Sequence, residues 1–552
     1  MASGVGPKFA EAAAAFASNW GNASLRRAQL SFLSWWAAEC AFAVALSIVA
    51  YGAGGTLAVG LVGLVTMLPA ALLTPLLAPL ADRVRRERVL VAVTLLRAAS
   101  MAAAAAIVVL AGPIALVYAI AALSSVTASL YRPAHSALLP TLCRTGRELA
   151  GANVVRGLLD SSASLIGPLL AAVLLALAGP AAVLLTASAG ATVAALLVLR
   201  LHYEGAPTPP TRRSALVTEA AEGLRAVGRS RPLRLMLALI AAQTFTRGAL
   251  TVFSVVVAIE LLRMGEAGAG ALMAALGVGA VLGSLASSVL IGTWRLGAWF
   301  AIGVGMWGLP IALIGAFPQQ ATALALLAVV GIANALIDAA GFTLIGRLAP
   351  DAVMARVFGV LEAIVAITMG IGSLVASALA EAFGVETALL AIGVLCPALA
   401  IASWWRLRRI DRTVREQDAE IALLRQVPLF GPLPLSAIEY LARGLEPVEV
   451  PQGTTVFAQG DVGDLYYLIE SGEADVLGDG RVVATLGPAE GFGEIALLRR
   501  TVRTATVRAR TDLRLRALTA ERFTTAVLGF SGAASAADEG MDDELARFRP
   551  AG

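Results

Sequence analysis

GTLAVGLVGLVTMLPAALLTPLLAPLADRVRRER, residues 55–88, decides how the chain is read. From Gly55 to Ala81 no residue carries a charge, and Asp82, Arg83, Arg85, Arg86, Glu87 and Arg88 follow at once. An uncharged run of that length suits a hydrocarbon core about 30 Å thick. The arginine burst at its end marks the side retained in the cytoplasm. Working outward, residues 28–405 supply twelve such stretches, the first two at 28–50 and 56–80. Arg26 and Arg27, the 83–88 group, Arg144 and Arg147, and then Arg212, Arg213 and Arg229 fall on alternate connections. The expected fold is an all-α membrane bundle of twelve transmembrane helices, multi-pass in the cell (inner) membrane, with both termini cytoplasmic.

Composition agrees. Of 552 residues, 58% are hydrophobic and 14% charged, against about 25% charged in a soluble domain, which excludes a purely water-soluble or a disordered chain. Net charge is only +4, and the arginines sit between apolar runs rather than on one basic face. The expected partner is therefore the lipid bilayer, and nucleic acid is not expected. Cys40, Cys143 and Cys396 lie in or beside apolar segments without paired spacing, so neither a disulfide framework nor a metal site is expected. Lys8 is the only lysine; a GxxxxGK[ST] phosphate loop is absent, which excludes a single-chain nucleotide-driven pump. The first residues lack a basic start followed by an apolar run, so no cleaved signal peptide is expected.

The spans divide six and six around a polar stretch. Residues 1–27 form an N-terminal segment, 28–200 a first half, 201–232 a linker and 233–405 a second half; 406–424 connect to a domain at 425–552. Residues 55–82 align without gaps on GEAGAGALMAALGVGAVLGSLASSVLIG, residues 265–292. NVVRGLLD, ending at Asp160, matches MARVFGVLE, ending at Glu362. Such internal repeats are what transporter folds with pseudo-symmetric halves carry.

Ionisable groups inside a span cost about 2.5–3.5 kcal/mol on insertion scales, so each is a candidate functional residue. Glu39, Asp160 and Glu362 are the carboxylates, and Arg247 is the mid-span cation that can serve as their counter-charge. A carboxyl group in a low-dielectric cavity can exchange protons near neutral pH, which proton-coupled antiport requires. A structural Arg247–carboxylate pair is the competing reading. Asp338, Arg97, Arg132, His135 and Arg156 fall nearer the expected cytoplasmic ends, where snorkelling or gate salt bridges explain them.

PLADRVRRERVL, residues 79–90, with the six-plus-six split, resembles the major facilitator superfamily. The family's loop has the form G-x-x-x-D-x-x-G-R-[RK]; Asp82 and Arg86 match it, while Ala78 and Arg85 replace its glycines. YRPAHSALLPTL (131–142), ELAGANVVRGL (148–158) and APDAVMARVFGVLEA (349–363) resemble the drug- and siderophore-efflux branch. The resemblance implies efflux of a small, lipophilic molecule and a gating role for Asp82 and Arg86.

After Leu407 apolar runs shorten to strand length between turn signals. Leu407, Ile410, Val414, Ile421 and Leu424 give the connecting segment a heptad-like stripe, suited either to a homodimer or to a single helix packing on the domain that follows. GFGEIALLRRTVRTATV, residues 491–507, resembles the phosphate-binding cassette of cyclic-nucleotide-binding domains, and residues 451–487 resemble their small β-roll. The resemblance implies a pocket of Phe492, Gly493, Glu494, Ile495, Ala496, Arg503, Thr504 and Ala505. Arg503 would hold the phosphate and Glu494 the ribose 2′-hydroxyl, with Leu545 and Phe548 as a lid. It implies cAMP, or cGMP, as regulatory ligand, and no cofactor. The segment from residue 407 onward has no His, Cys or Lys, so no enzyme is expected. The combined expectation is a secondary active transporter regulated by a cytoplasmic cyclic nucleotide. The alternatives are a membrane-anchored receptor without transport and an exporter of the cyclic nucleotide itself.

Overall fold

The computed structural model describes residues 20–81, 84–199, 201, 216–290, 295–349, 353–431, 433, 435–499 and 501–528. Asp82, Leu545 and Phe548 lie outside the described residues. The chain divides into two compact units, Met1–Ile410 and Asp411–Gly552.

Among the described residues of the first unit and the helix that leaves it, eleven helices are long and apolar enough to cross a membrane. In chain order they and their shorter companions are α1 (Ala23–Ala81), α2 (Arg86–Val109), α3 (Ile114–Ala128), α4 (Tyr131–Leu142), α5 (Gly146–Ala178), α6 (Pro180–Leu199), α7 (Leu216–Arg229), α8 (Arg231–Val256), α9 (Glu266–Leu290), α10 (Leu296–Ala316), α11 (Gln320–Leu348), α12 (Met354–Phe383) and α13 (Val385–Gln426). α1 runs through both of the first two expected spans, 28–50 and 56–80, and breaks between them. Its 59 residues would reach about 88 Å if straight, but Gly54 and Gly55 leave helical geometry, Gly55 at φ +64, so the element is two arms joined at a kink. A π-turn, Val257–Leu261, ends α8. At α5 the start is written locally: Thr145 Oγ1 accepts from Glu148 N at 3.1 Å, while Glu148 accepts from Arg144 N at 2.6 Å, a reciprocal cap.

The helices pack as two groups, α1–α6 and α8–α12, that meet along α5 with α9 and along α1 with α12. At the second seam Ser373 Oγ donates to Gly60 O at 3.2 Å. A Cβ on Gly60 would stand 2.7 Å from Ser377 Cβ, and one on Gly63 2.7 Å from Ser373 Cβ. At the first seam a Cβ on Gly270 would meet Pro168 O at 2.7 Å and Ala172 Cα at 2.8 Å. Gly60 and Gly270 are equivalent in the 55–82/265–292 alignment, so the repeat in the sequence is also a repeat in packing. Both contacts lie at the helix ends remote from the arginine-bearing loops. Gly279 in α9 meets the backbone of Ala328 in α11, close packing within one half rather than a dimer face.

In the second unit, β1 (Glu446–Val450), β2 (Thr455–Phe457), β3 (Leu465–Ser471), β4 (Ala474–Gly478), β5 (Arg481–Leu486), β6 (Gly491–Phe492), β7 (Thr506–Ala509) and β8 (Leu513–Thr519) form two antiparallel sheets. Their orders are β1-β8-β3-β6 and β2-β7-β4-β5. Helices α14 (Leu435–Ala442), α15 (Glu494–Arg499) and α16 (Ala520–Leu528) flank them. The β4–β5 hairpin turns on Asp479 (φ 48) and Gly480 (φ 79), the pair a two-residue type I′ turn prefers. Gly453, Gly460 and Gly472, read from sequence as sharp turns, have φ of 82, 93 and 97. Tyr466, Leu468, Leu518 and Phe523 pack with Leu424, Phe430 and Leu441 in one apolar cluster, partly covered by Ile421.

Candidate functional site

In the second unit β6 ends at Phe492, Gly493 turns with φ +95, and α15 begins at Glu494. A Cβ on Gly493 would meet Leu465 O at 3.2 Å and Arg503 Cζ at 3.4 Å, so glycine fits both the dihedral and the space. Arg503 is 2% exposed. It donates to Leu465 O at 2.7 Å and to Gly493 O at 3.0 Å, and its Cζ lies 4.1 Å from the Phe457 ring centroid. Its nearest ion-pair partner is Asp464 at 3.9 Å, a side chain open to solvent. Arg503 Nε is buried with no hydrogen-bond acceptor. Burial pushes its pKa down, against Tyr467, Asp464 and Glu494, which push it up; an arginine stays cationic throughout.

All eight sequence-read pocket residues, Phe492, Gly493, Glu494, Ile495, Ala496, Arg503, Thr504 and Ala505, line one cavity. Sequence reading missed its other wall, Phe457, Val476, Val483, Ala484, Leu486 and Val507. These sit on β2, β4, β5 and β7, and the signal for them was the two-residue alternation of those strands. Phe457, Tyr467 and Phe492 form a ring cluster with centroids 5.3–6.0 Å apart.

In the first unit the carboxylates find partners other than Arg247. Arg97 of α2 grips Glu39 of α1 with two bonds of 2.5 and 2.6 Å and also donates to Ser124; the side chains are 5% and 13% exposed. Arg132 of α4 pairs with Asp160 of α5 at 2.5 Å and lies 4.1 Å over Trp36. Of the two readings offered for Arg97 and Arg132, snorkelling or salt bridges, both residues form salt bridges, Arg97 buried and Arg132 exposed. The reading of His135 is corrected, since it is fully buried with Nε2 3.1 Å from Ala28 O. Arg247 is exposed, and its side chain has no hydrogen-bond or ion-pair partner among the described residues. Glu362 is likewise exposed and without such a partner among them. Arg86 donates to Ala137 O of α4 at 2.6 Å.

Residues 30–299 and 248–457 match the Major Facilitator Superfamily, more than half of the chain. The chain belongs to the Major Facilitator Superfamily. It is a multi-pass membrane protein of that family's transporter type, and residues 447–528 match the Cyclic nucleotide-binding domain. That second region is similar to the cAMP-dependent protein kinase regulatory subunit of Schizosaccharomyces pombe, 41% identical over 111 residues. The counterpart of Yarrowia lipolytica is 39% identical over 116 residues. These matches cover 20% and 21% of this chain, and only 27% and 31% of the relatives' own length. Among solved structures, Thermus thermophilus Catabolite Activator Protein is 31% identical, covering 21% of this chain and 58% of its own, with a TM-score of 0.20.

Proposed function

We propose that this superfamily member is a secondary active transporter whose conformational equilibrium is biased by a cytoplasmic cyclic nucleotide, cAMP in preference to cGMP. The observation that carries the regulatory half is Arg503, a buried cation with one N–H left without an acceptor beside a glycine turn. A buried charge without full compensation costs several kcal/mol, and a cyclic phosphate supplies the missing anion. In this reading Glu494 receives the ribose hydroxyl, and Phe492, Ile495, Ala496 and Ala505 form an apolar wall beside Gly493 and Thr504. Similarity to cAMP-dependent regulatory subunits supports cAMP.

The transport half is efflux of a small, lipophilic molecule, coupled to protons through Glu39, Asp160, Glu362 and Arg247, with Asp82 and Arg86 gating. Both termini are placed in the cytoplasm of a cell whose inner membrane holds the protein, and no enzymatic step is involved. Charges held inside the helical unit favour transport over mere anchoring of a receptor. Coupling runs through residues 406–424 of α13. Leu407, Ile410, Val414 and Leu424 are buried within the single chain, which favours the single-helix reading of that stripe over a homodimer seam.

Calorimetric titration of the full-length protein with cAMP and with cGMP tests the regulatory half. Micromolar cAMP binding, lost by roughly 10–150-fold in Arg503→Ala as expected for about 1.5–3 kcal/mol of charged hydrogen bonding, is the expected result. Equal binding in wild type and variant would refute the assignment of the phosphate site.

A further inference from the structure

Strand β3 works on both of its faces. Alternation along it puts Tyr467 and Ile469 on one side and Tyr466, Leu468 and Glu470 on the other. The Tyr467 ring stacks on Phe492 with centroids 5.3 Å apart, and Ile469 packs in one cluster with Phe492 and Val507. Leu465, the first residue of the strand, accepts from Arg503 Nη2 at 2.7 Å. On the opposite face Tyr466 and Leu468 share an apolar cluster with Leu424, against which Ile421 packs. Leu424 and Ile421 belong to the end of α13. A single strand therefore meets the cyclic-nucleotide cradle on one face and the helix that continues the last span on the other.

Apolar contact is non-directional and does not by itself fix how α13 sits on β3. Direction comes from Arg516 of β8. Its Nη1 donates to Glu420 of α13 at 3.2 Å, and its Nε donates to Glu470 of β3 at 2.9 Å. The side chains of Arg516 and Glu420 are 24% and 15% exposed, so the bond to α13 is largely shielded from solvent. Arg516 stands opposite Leu468 in the β3–β8 register, which shifts between Ile469 and Ser471. That irregularity falls at Glu470, and a bulge re-aims the side chain it carries. A guanidinium fork holds two carboxylates in set directions, which apolar contact cannot do. Arg514, two residues earlier on β8, is a different case. It lies 3.9 Å from Glu449 of β1, with both side chains open to solvent.

Resting on the reading of this domain as a cyclic-nucleotide regulator, we propose that Arg516 is the positioning residue that passes the state of the cradle to α13. A phosphate that engages Arg503 competes for the guanidinium that holds Leu465 O. The start of β3 then shifts, Glu470 shifts with its strand, and Arg516 carries the change to Glu420. Because both carboxylates act through one guanidinium, the two bonds are in series, and losing either breaks the link.

The test uses the full-length protein in lipid nanodiscs, with spin labels at Leu177→Cys and Phe317→Cys in a background without other cysteines. Distances are read with and without saturating cAMP, and calorimetry on the same preparations reads binding. In the wild-type background cAMP is expected to change the ratio of short to long distances at least about fivefold, the lower end of typical couplings. Glu420→Gln, Glu470→Gln and Arg516→Gln still bind one cAMP per chain, but the ratio changes less than about twofold. Combining Glu420→Gln with Glu470→Gln adds no further loss, and Arg514→Gln keeps the full response. A wild-type response in Glu420→Gln, partial losses that add in the double variant, loss of cAMP binding together with the response, or an equal loss in Arg514→Gln would each overturn the proposal. If the wild-type background binds cAMP without any change in the ratio, the regulatory reading falls and the proposal with it. If it responds and Glu420→Gln responds alike, only the proposal falls.

Discussion

At the scale of single residues, two arginines explain most of the functional reading. Arg503 is held in place by two carbonyl oxygens, which orient a cation without neutralising it. Gly493 supports that arrangement, and Gly493→Val is expected to weaken cAMP binding at least tenfold through strain of about 1–3 kcal/mol at positive φ; calorimetry on the variant checks it. Arg97 is the opposite case, since its bidentate bond to Glu39 neutralises it inside one half. Removing one partner of a buried pair typically costs about 3–5 kcal/mol. Glu39→Gln is therefore expected to lower the thermal midpoint of the purified protein, and Glu39→Gln with Arg97→Gln to recover much of the loss. Additive losses in that cycle would show that the two side chains act independently. The cassette residues were legible in the sequence because they are contiguous and their chemistry is local. The partners of Glu39 and Asp160 were not, because a sequence gives the depth of a residue along a span but not the direction it faces across helices.

At the scale of elements, the two seams between the halves rest on small residues at matched repeat positions. Gly60 and Gly63 against Ser377 and Ser373, and Gly270 against Pro168 and Ala172, bring backbones together at the end remote from the arginine loops. Nearby, Tyr51 of α1 donates to Glu260 of the π-turn at 2.7 Å, so a hydrogen bond also joins the halves there. The structure is closed at that end. Gly60→Leu is expected to force the seam apart at a cost of about 1–3 kcal/mol. Pulsed dipolar spectroscopy between labels at Leu177→Cys and Phe317→Cys, in a background without other cysteines, should then show a longer distance. An unchanged distribution would mean that the seam is not what holds that end shut. The gap-free repeat alignment made this symmetry readable from sequence. The break within α1 falls at YGAGG, between the first two spans read from the sequence, and the continuity of α13 through Gln426 follows the apolar stripe from Leu407 to Leu424, which reads as a helix leading out of the last span.

At the scale of the whole molecule, a superfamily transporter unit and a cyclic-nucleotide-binding domain share one chain, and α13 spans the residue at which the two compact units divide. A ligand can shift the transporter only through unequal affinity for its conformations, and such couplings are typically about 1–3 kcal/mol, a 5–150-fold change in population ratio. The domain organisation was visible in the change from span-length to strand-length apolar runs near Leu407. The coupling itself is a property of two states and has no signature in one sequence. The most direct measurement is the Leu177–Phe317 label distance in nanodiscs with and without saturating cAMP, with Arg503→Ala as control. The account predicts that cAMP changes the ratio of short to long distances at least fivefold in the wild-type background and leaves Arg503→Ala unchanged. Identical distance distributions while calorimetry shows cAMP bound would contradict it.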